Sequence, residues 1–302
     1  MRHPAPALCA LAAAVLGACS TPFEVELPDE PPRLVITSLF EADSLLELDV
    51  SQSVGVLDPE GPPLENVAGA TVTIFEDGVP VGGAVRDEFG FKYVSDVRPR
   101  AGRTYRVRVE APGFETAEAE DTVPLPRPFE VDVERGPRGE FDRIDAVTVQ
   151  FSDPEGPDYY ALYGLAERRF AGRPDATQVF PLLFESEDPV LADGFLERLI
   201  ENPEGRSFFQ GAFFSDRALP DRPVSVRLDV RRDTQTFEGV VQVDRLRLAV
   251  VSETYYRYQR ATVRDGVIAS DLFGQPARVP SNVDGGYGIF AGFAATEVVL
   301  PE

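Results

Sequence analysis

The sequence predicts a mainly β protein, an N-terminal β-sandwich followed by a second β-rich domain with one or two short helices. Three observations carry this. The 302 residues are 43% apolar and 26% charged, the balance of a chain that can bury a core in about two domains. From Arg33 onward, short runs alternate apolar and polar residues with the period of a strand. Between the runs stand 27 Pro and 25 Gly, the residues that turns require.

Residues 34–39, 46–50 and 70–75 each give such a run. Glu76-Asp77-Gly78 supplies a turn before a strand at 79–81, and another strand begins over 91–94. Residues 102–111 alternate strictly, with Tyr105, Val107 and Val109 on one face and Arg106 and Arg108 on the other. The sandwich is expected over 33–123. Its order, Gly-Ala-Thr-Val-Thr-Ile, a turn, then Gly-Arg-Thr-Tyr-Arg-Val-Arg-Val, resembles the immunoglobulin-like modules of many bacterial surface proteins. Residues 124–128, with Pro in alternate positions, form a stiff connector, and the domain boundary is placed there.

The second domain is expected over 129–302, with strands at 129–133, 145–151, 159–165, 224–230 and 240–250. Residues 188–201 carry Leu191, Phe195, Leu196, Leu199 and Ile200 at spacings that predict a short amphipathic helix, ended by Asn202-Pro203-Glu204-Gly205. Residues 252–261 predict a second helix, capped by Ser252 with Tyr255, Tyr258 and Ala261 on adjacent turns. Near the end, 282–286 predict a tight turn whose residues tolerate positive φ. A close-packed last strand is expected to follow it, containing Gly288 and Gly292.

Residues 1–18 have a charged start, about ten apolar residues and small residues at the end, the pattern of a secretory signal peptide. Leu16-Gly17-Ala18-Cys19 resembles the lipobox of bacterial lipoproteins, in which the Cys thiol is acylated and the chain is cut just before it. Cys19 is therefore the expected lipidation residue and the link to a membrane. Residues 19–32 are acidic and Pro-rich, a tether that also resembles the acidic export signals of surface-displayed Bacteroidota lipoproteins.

Composition excludes several functions. A formal charge of −22 leaves no basic face for nucleic acid. The only His is His3 and the only Cys are Cys9 and Cys19. The processed chain would therefore hold no Ser-His-Asp triad, no free thiol, no conventional zinc site and no haem ligand. No cofactor or catalytic residue is expected. Carboxylates alone could serve a glycosidase, but Asp and Glu are too abundant for any pair to stand out. Ser152-Asp153-Pro154-Glu155-Gly156-Pro157-Asp158 offers oxygens for Ca²⁺, although without EF-hand spacing, and is expected to be a solvated acidic loop. Tyr159, Tyr160, Tyr163, Phe208, Phe209, Phe213 and Phe214 could stack on ligands, but lie in runs expected to be core.

The segment Pro280-Ser281-Asn282-Val283-Asp284-Gly285-Gly286-Tyr287-Gly288-Ile289-Phe290 resembles the C-terminal signature of the domain of unknown function 4249 family of Bacteroidota lipoproteins. Glu24-Val25-Glu26-Leu27-Pro28, Pro32-Arg33-Leu34-Val35-Ile36, Phe214-Ser215-Asp216 and the segment from Ser252 to Tyr258 fit the same family. The resemblance implies an outer-membrane lipoprotein facing the cell surface, accessory to a TonB-dependent receptor in nutrient uptake. A surface adhesion or envelope-structural module and a carboxylate-based hydrolase are the alternatives. Within the C-terminal segment Pro280, Ser281, Asn282, Asp284, Gly285, Gly286, Tyr287 and Gly288 form either a structural turn or a docking motif, with structure the favoured reading.

Overall fold

The structure is a computed structural model that describes residues 31–54, 67–139, 142–153, 158–192, 195–201, 207–216, 223–233, 239–268 and 279–301. The expected signal peptide, Cys19 and nearly all of the expected tether lie outside the described residues. The chain is mainly β, and residues 32–302 form one compact unit.

The first layers are built from β1 (Leu34–Glu41), β2 (Glu47–Gln52), β3 (Thr71–Glu76), β4 (Val79–Arg86), β5 (Tyr93–Val94), β6 (Thr104–Glu110) and β7 (Ala117–Thr122). Two residues, Asp77 and Gly78, join β3 to β4, both at positive φ, the turn that matches the twist of a hairpin. One sheet runs β4-β3-β6-β7 and the other contains β2-β1, while β5 pairs with both β2 and β4 and closes one side. Tyr105, Val107 and Val109 of β6 are fully buried, whereas Arg106 and Arg108 face outward. Arg106 lies over the Phe75 ring and pairs with Glu118 at 2.9 Å. β7, AEAEDT, has poor intrinsic strand propensity. It forms because Ala117 and Ala119 fit the core while Glu118 and Glu120 lie opposite arginines of β6.

The remaining strands are β8 (Phe129–Glu134), β9 (Asp142–Phe151), β10 (Tyr159–Phe170), β11 (Arg173–Pro181), β12 (Phe184–Glu185), β13 (Phe195–Glu201), β14 (Ser207–Ser215), β15 (Val224–Asp233), β16 (Val240–Val251), β17 (Val283–Asp284) and β18 (Tyr287–Val299). β8-β9-β15 form one layer, and β16-β10 with β14 or β11 the other. Between them lies a core of Phe151, Tyr160, Leu162, Phe184, Phe214, Leu228, Leu246 and their neighbours. The outer face of the second layer is covered by α2 (Glu253–Ile268), which brings Tyr255 and Tyr256 down on Ala161, Phe213, Ala249 and Ile289.

The helix expected over 188–201 is corrected. Only α1 (Pro189–Ala192) is helical there, and β13 pairs with β14 through register shifts at Glu197/Arg198 and Arg198/Ile200. Bulges break the two-residue alternation, so the apolar pairs Phe195-Leu196 and Leu199-Ile200 imitate helical spacing. The expected stop at 202–205 lies outside the described residues. The helix expected at 252–261 forms, with Ser252 Oγ accepting the Tyr255 N–H at 3.1 Å, and extends further than expected.

The connector at 124–128 lies between the two cores, but the chain crosses between them again at its end. Along β18, Phe290 and Ala294 enter the first core, Val298 packs on the second, and Ile289 and Ala291 face α2. Residues 287–293 of β18 pair in parallel with β1, and residues 293–299 pair antiparallel with β16.

Candidate functional site

The C-terminal segment that stood out in the sequence is where β18 is threaded into the first core. β17 joins the edge of β7, with Val283 opposite Ala119 and Asp284 opposite Glu118. The turn at Gly285 and Gly286 then carries the chain across the sandwich to β18, which lies beside β1 in the other sheet. Asn282 ties the two sheets together. Its Nδ2 donates to the Phe290 carbonyl at 2.8 Å and to the Glu120 carbonyl at 3.2 Å, and its Oδ1 accepts the Phe290 N–H at 3.0 Å. Ser281 Oγ accepts the Val283 N–H at 3.2 Å.

The glycines answer to close approach as much as to backbone angle. Gly285 has φ +73°, and a Cβ there would stand 2.2 Å from the Thr116 carbonyl oxygen. Gly288 has φ +113°, with a Cβ 2.0 Å from the Ile36 oxygen. The expectation of positive φ at Gly286 is corrected: its constraint is contact, since a Cβ would lie 2.4 Å from the Leu34 oxygen. Pro280, Ser281, Asp284 and Tyr287 remain exposed, and the Arg33 guanidinium lies 5.6 Å from the centre of the Tyr287 ring.

Asp121, which the sequence reading passed over, joins this threading to α2. Its Oδ2 accepts the Gly292 N–H at 2.8 Å, and it accepts further hydrogen bonds from Ser252, Thr122 and Thr254. Burial pushes the Asp121 carboxyl above its ordinary value, with those donors pulling the other way. Ser252 N–H donates to the Gly292 carbonyl at 3.1 Å, so β7, β18 and the start of α2 meet at one carboxylate. The parity of Ala117, Ala119 and Asp121 along β7 was the available signal for an inward-facing acid.

A second charged cluster closes one end of the other core. Asp145, fully buried, accepts from Arg143 Nε at 2.6 Å and from the Gly136 N–H at 3.0 Å. Arg232 donates to Asp244 at 2.8 Å and to the Pro301 carbonyl at 2.5 Å, and lies 3.5 Å from Asp145. The buried charges are therefore paired and hydrogen-bonded, as burial requires.

The acidic loop after β9 is corrected at Asp153, which is buried and accepts the Tyr160 hydroxyl, a phenol that needs an acceptor inside the core. Burial, then Asp153, pushes the Tyr160 pKa far up. Asp158 accepts from Arg127 at 3.2 Å, and residues 154–157 lie outside the described residues. Among the described residues no group of three His, Cys, Asp or Glu is placed to hold a metal. Tyr160, Phe213 and Phe214 are core, and Tyr159 and Tyr163 are half-buried beneath α2. The side chains of Phe208 and Phe209 lie outside the described residues.

Two open clefts of about 330 and 290 Å³ flank Phe180 and Pro181. The second is lined by Arg168, Arg231, Asp142 and Asp233, but Arg168 pairs with Asp233 at 2.5 Å and Arg231 with Asp142 at 2.6 Å.

The fold and this threading define a mainly β protein whose terminal strand serves two cores. The chain belongs to the family described as domain of unknown function (DUF4249), whose model matches residues 20–298. No curated protein matches it. Among solved structures it is similar to the crystal structure of bovine butyrophilin at 12% identity, covering 90% of this chain and 100% of that one. The TM-score is 0.20.

Proposed function

We propose that this protein is a lipid-anchored outer-membrane protein of the cell surface, without catalysis of its own, accessory to a TonB-dependent receptor in nutrient uptake. The observation that carries the reading is Leu16-Gly17-Ala18-Cys19 at the end of a signal-like segment, with the family match beginning at Ser20, the next residue. After a cut before Cys19 the chain would hold no His and no second thiol, which leaves little for catalysis but suits binding and scaffolding. Several acyl chains on Cys19, at ~0.8 kcal/mol per buried methylene, would hold the protein stably on a membrane.

Isolation of the lipidated protein in mild detergent, from cells grown on the receptor's nutrient, should bring down a large β-barrel receptor. In the same cells Cys19→Ala should take up no labelled palmitate. Recovery of the lipoprotein alone would overturn the accessory role, and palmitate on the Cys19→Ala variant would overturn the anchor.

A further inference from the structure

The β4–β5 tip carries exposed apolar side chains on a loop braced by Asp87 and Arg86. Val85, Phe89 and Phe91 are 75%, 71% and 58% exposed. Asp87 holds the loop between them. Its carboxylate accepts the Phe91 and Lys92 N–H groups at 2.8 and 3.2 Å, its carbonyl accepts the Gly90 N–H at 3.1 Å, and its own N–H donates to the Lys92 carbonyl at 2.8 Å. Arg86 Nη2 donates to the Gly90 carbonyl at 3.2 Å. Four of the tip's N–H groups, those of Asp87, Gly90, Phe91 and Lys92, are thus bonded within it, which lowers the cost of leaving water.

The strand registers place this tip at the end of the sandwich where the chain enters the fold. Leu34, the first residue of β1, stands opposite Gln52 at the end of β2 and next to the β18 partner pair Val35 and Tyr287. β5 pairs Tyr93 with Leu48, so the residues before Tyr93 run toward that same end. Between Cys19 and Pro32 lie 12 residues, and the 13 steps of chain span at most about 45 Å when fully extended. An anchor on Cys19 therefore holds this end, and no other part of the fold directly, to within that distance of the bilayer.

We propose that, in the anchored protein, the β4–β5 tip inserts Phe89 and Phe91 into a neutral lipid surface. The inference rests on lipidation at Cys19. The occupant is lipid because the tether limits how far this end can stand from the bilayer, and the exposed phenylalanines sit there on a loop whose backbone is largely bonded within itself. The surface is neutral because the tip's own charges cancel, Arg86 and Lys92 against Asp87 and Glu88, while the chain as a whole carries a formal charge of −22, which anionic lipid repels.

The chain contains no Trp, so one introduced Trp is a clean probe. Lipidated F89W and F91W, reconstituted into phosphatidylcholine vesicles brominated along the acyl chains, should show blue-shifted and strongly quenched emission. V179W, at a position 58% exposed on β11, should not. Through β10 and β16, Val179 lies beyond the Val299 end of β18, on the order of 40 Å from Tyr287 along the strands. Phosphatidylglycerol added at low salt should reduce the quenching of F89W severalfold. Quenching of F89W and F91W no greater than that of V179W, in protein that floats with the vesicles, overturns the insertion alone. Protein that fails to float overturns the anchor and the insertion with it. A blue shift of F89W that appears only when purified receptor is added assigns the tip to a protein contact and overturns the proposal.

Discussion

Asp121 shows how a single carboxylate can hold three elements. Four donors converge on it from β7, β18 and the start of α2, and an amide in its place would turn an N–H₂ toward one of them. Asp121→Asn should therefore cost about 1 to 3 kcal/mol at neutral pH, read by urea denaturation. The pH dependence has a defined sign. Burial raises the folded pKa above the ordinary 3.8, so the folded state holds this proton more tightly than the unfolded chain. The contribution is full below the unfolded value and is lost as pH rises through the folded one. The stability gap between wild type and Asp121→Asn should thus be wider at pH 4 than at pH 7, and an unchanged or narrower gap would contradict the shift. Residues of this kind were partly legible. Asp121 shares parity with Ala117 and Ala119, Asp145 with Val147 and Val149, and Asp244 with Leu246 and Leu248, all facing inward. What the sequence could not supply was the partner, because Gly292 and Ser252 are more than a hundred residues from Asp121.

At the scale of elements, strands that alternate cleanly against one core were legible. β6 and β9 repeat the two-residue period with buried and exposed faces as expected. Where a strand is bulged, as in β13, the period fails and the helix reading wins wrongly. The threading motif was legible as a turn and a close-packed strand, but not as a crossing between sheets. Nothing local says that Asn282 will bond to Phe290 and Glu120 together. Gly288 is the sharpest point of this element, with positive φ and the Ile36 carbonyl 2.0 Å from any Cβ. Gly288→Ala should cost roughly 2 to 4 kcal/mol through strain and forced displacement of β1. Tyr287→Phe, which keeps the ring beside Arg33 and removes only the hydroxyl, should change stability by no more than about 1 kcal/mol. Calorimetry on both variants checks the contrast, and a Gly288→Ala protein that melts like wild type would return the motif to the docking reading.

At the scale of the molecule, β18 decides whether the two cores unfold separately. Chains of this length commonly show more than one transition, because each core can melt while the other survives. Here the strand that buries Phe290 in the first core continues into Val298 on the second. Its first half bonds only to β1 in the ladder and its second half to β16. Melting the first core frees the β1 edge of β18 and exposes Phe290. Melting the second frees the β16 edge and uncovers the face beneath α2. Either event leaves a half-bonded central strand with apolar residues in water, a partly unfolded state that neither core can stabilise alone. Two substitutions at opposite ends test this. Gly288→Ala strikes the first core, and Arg232→Met leaves Asp244 buried without its cation while Asp145 keeps Arg143, at about 3 to 5 kcal/mol. Scanning calorimetry should show one transition in wild type, displaced downward as a whole by either change. A scan in which Arg232→Met lowers one transition while a second stays in place would show that β18 does not couple the cores.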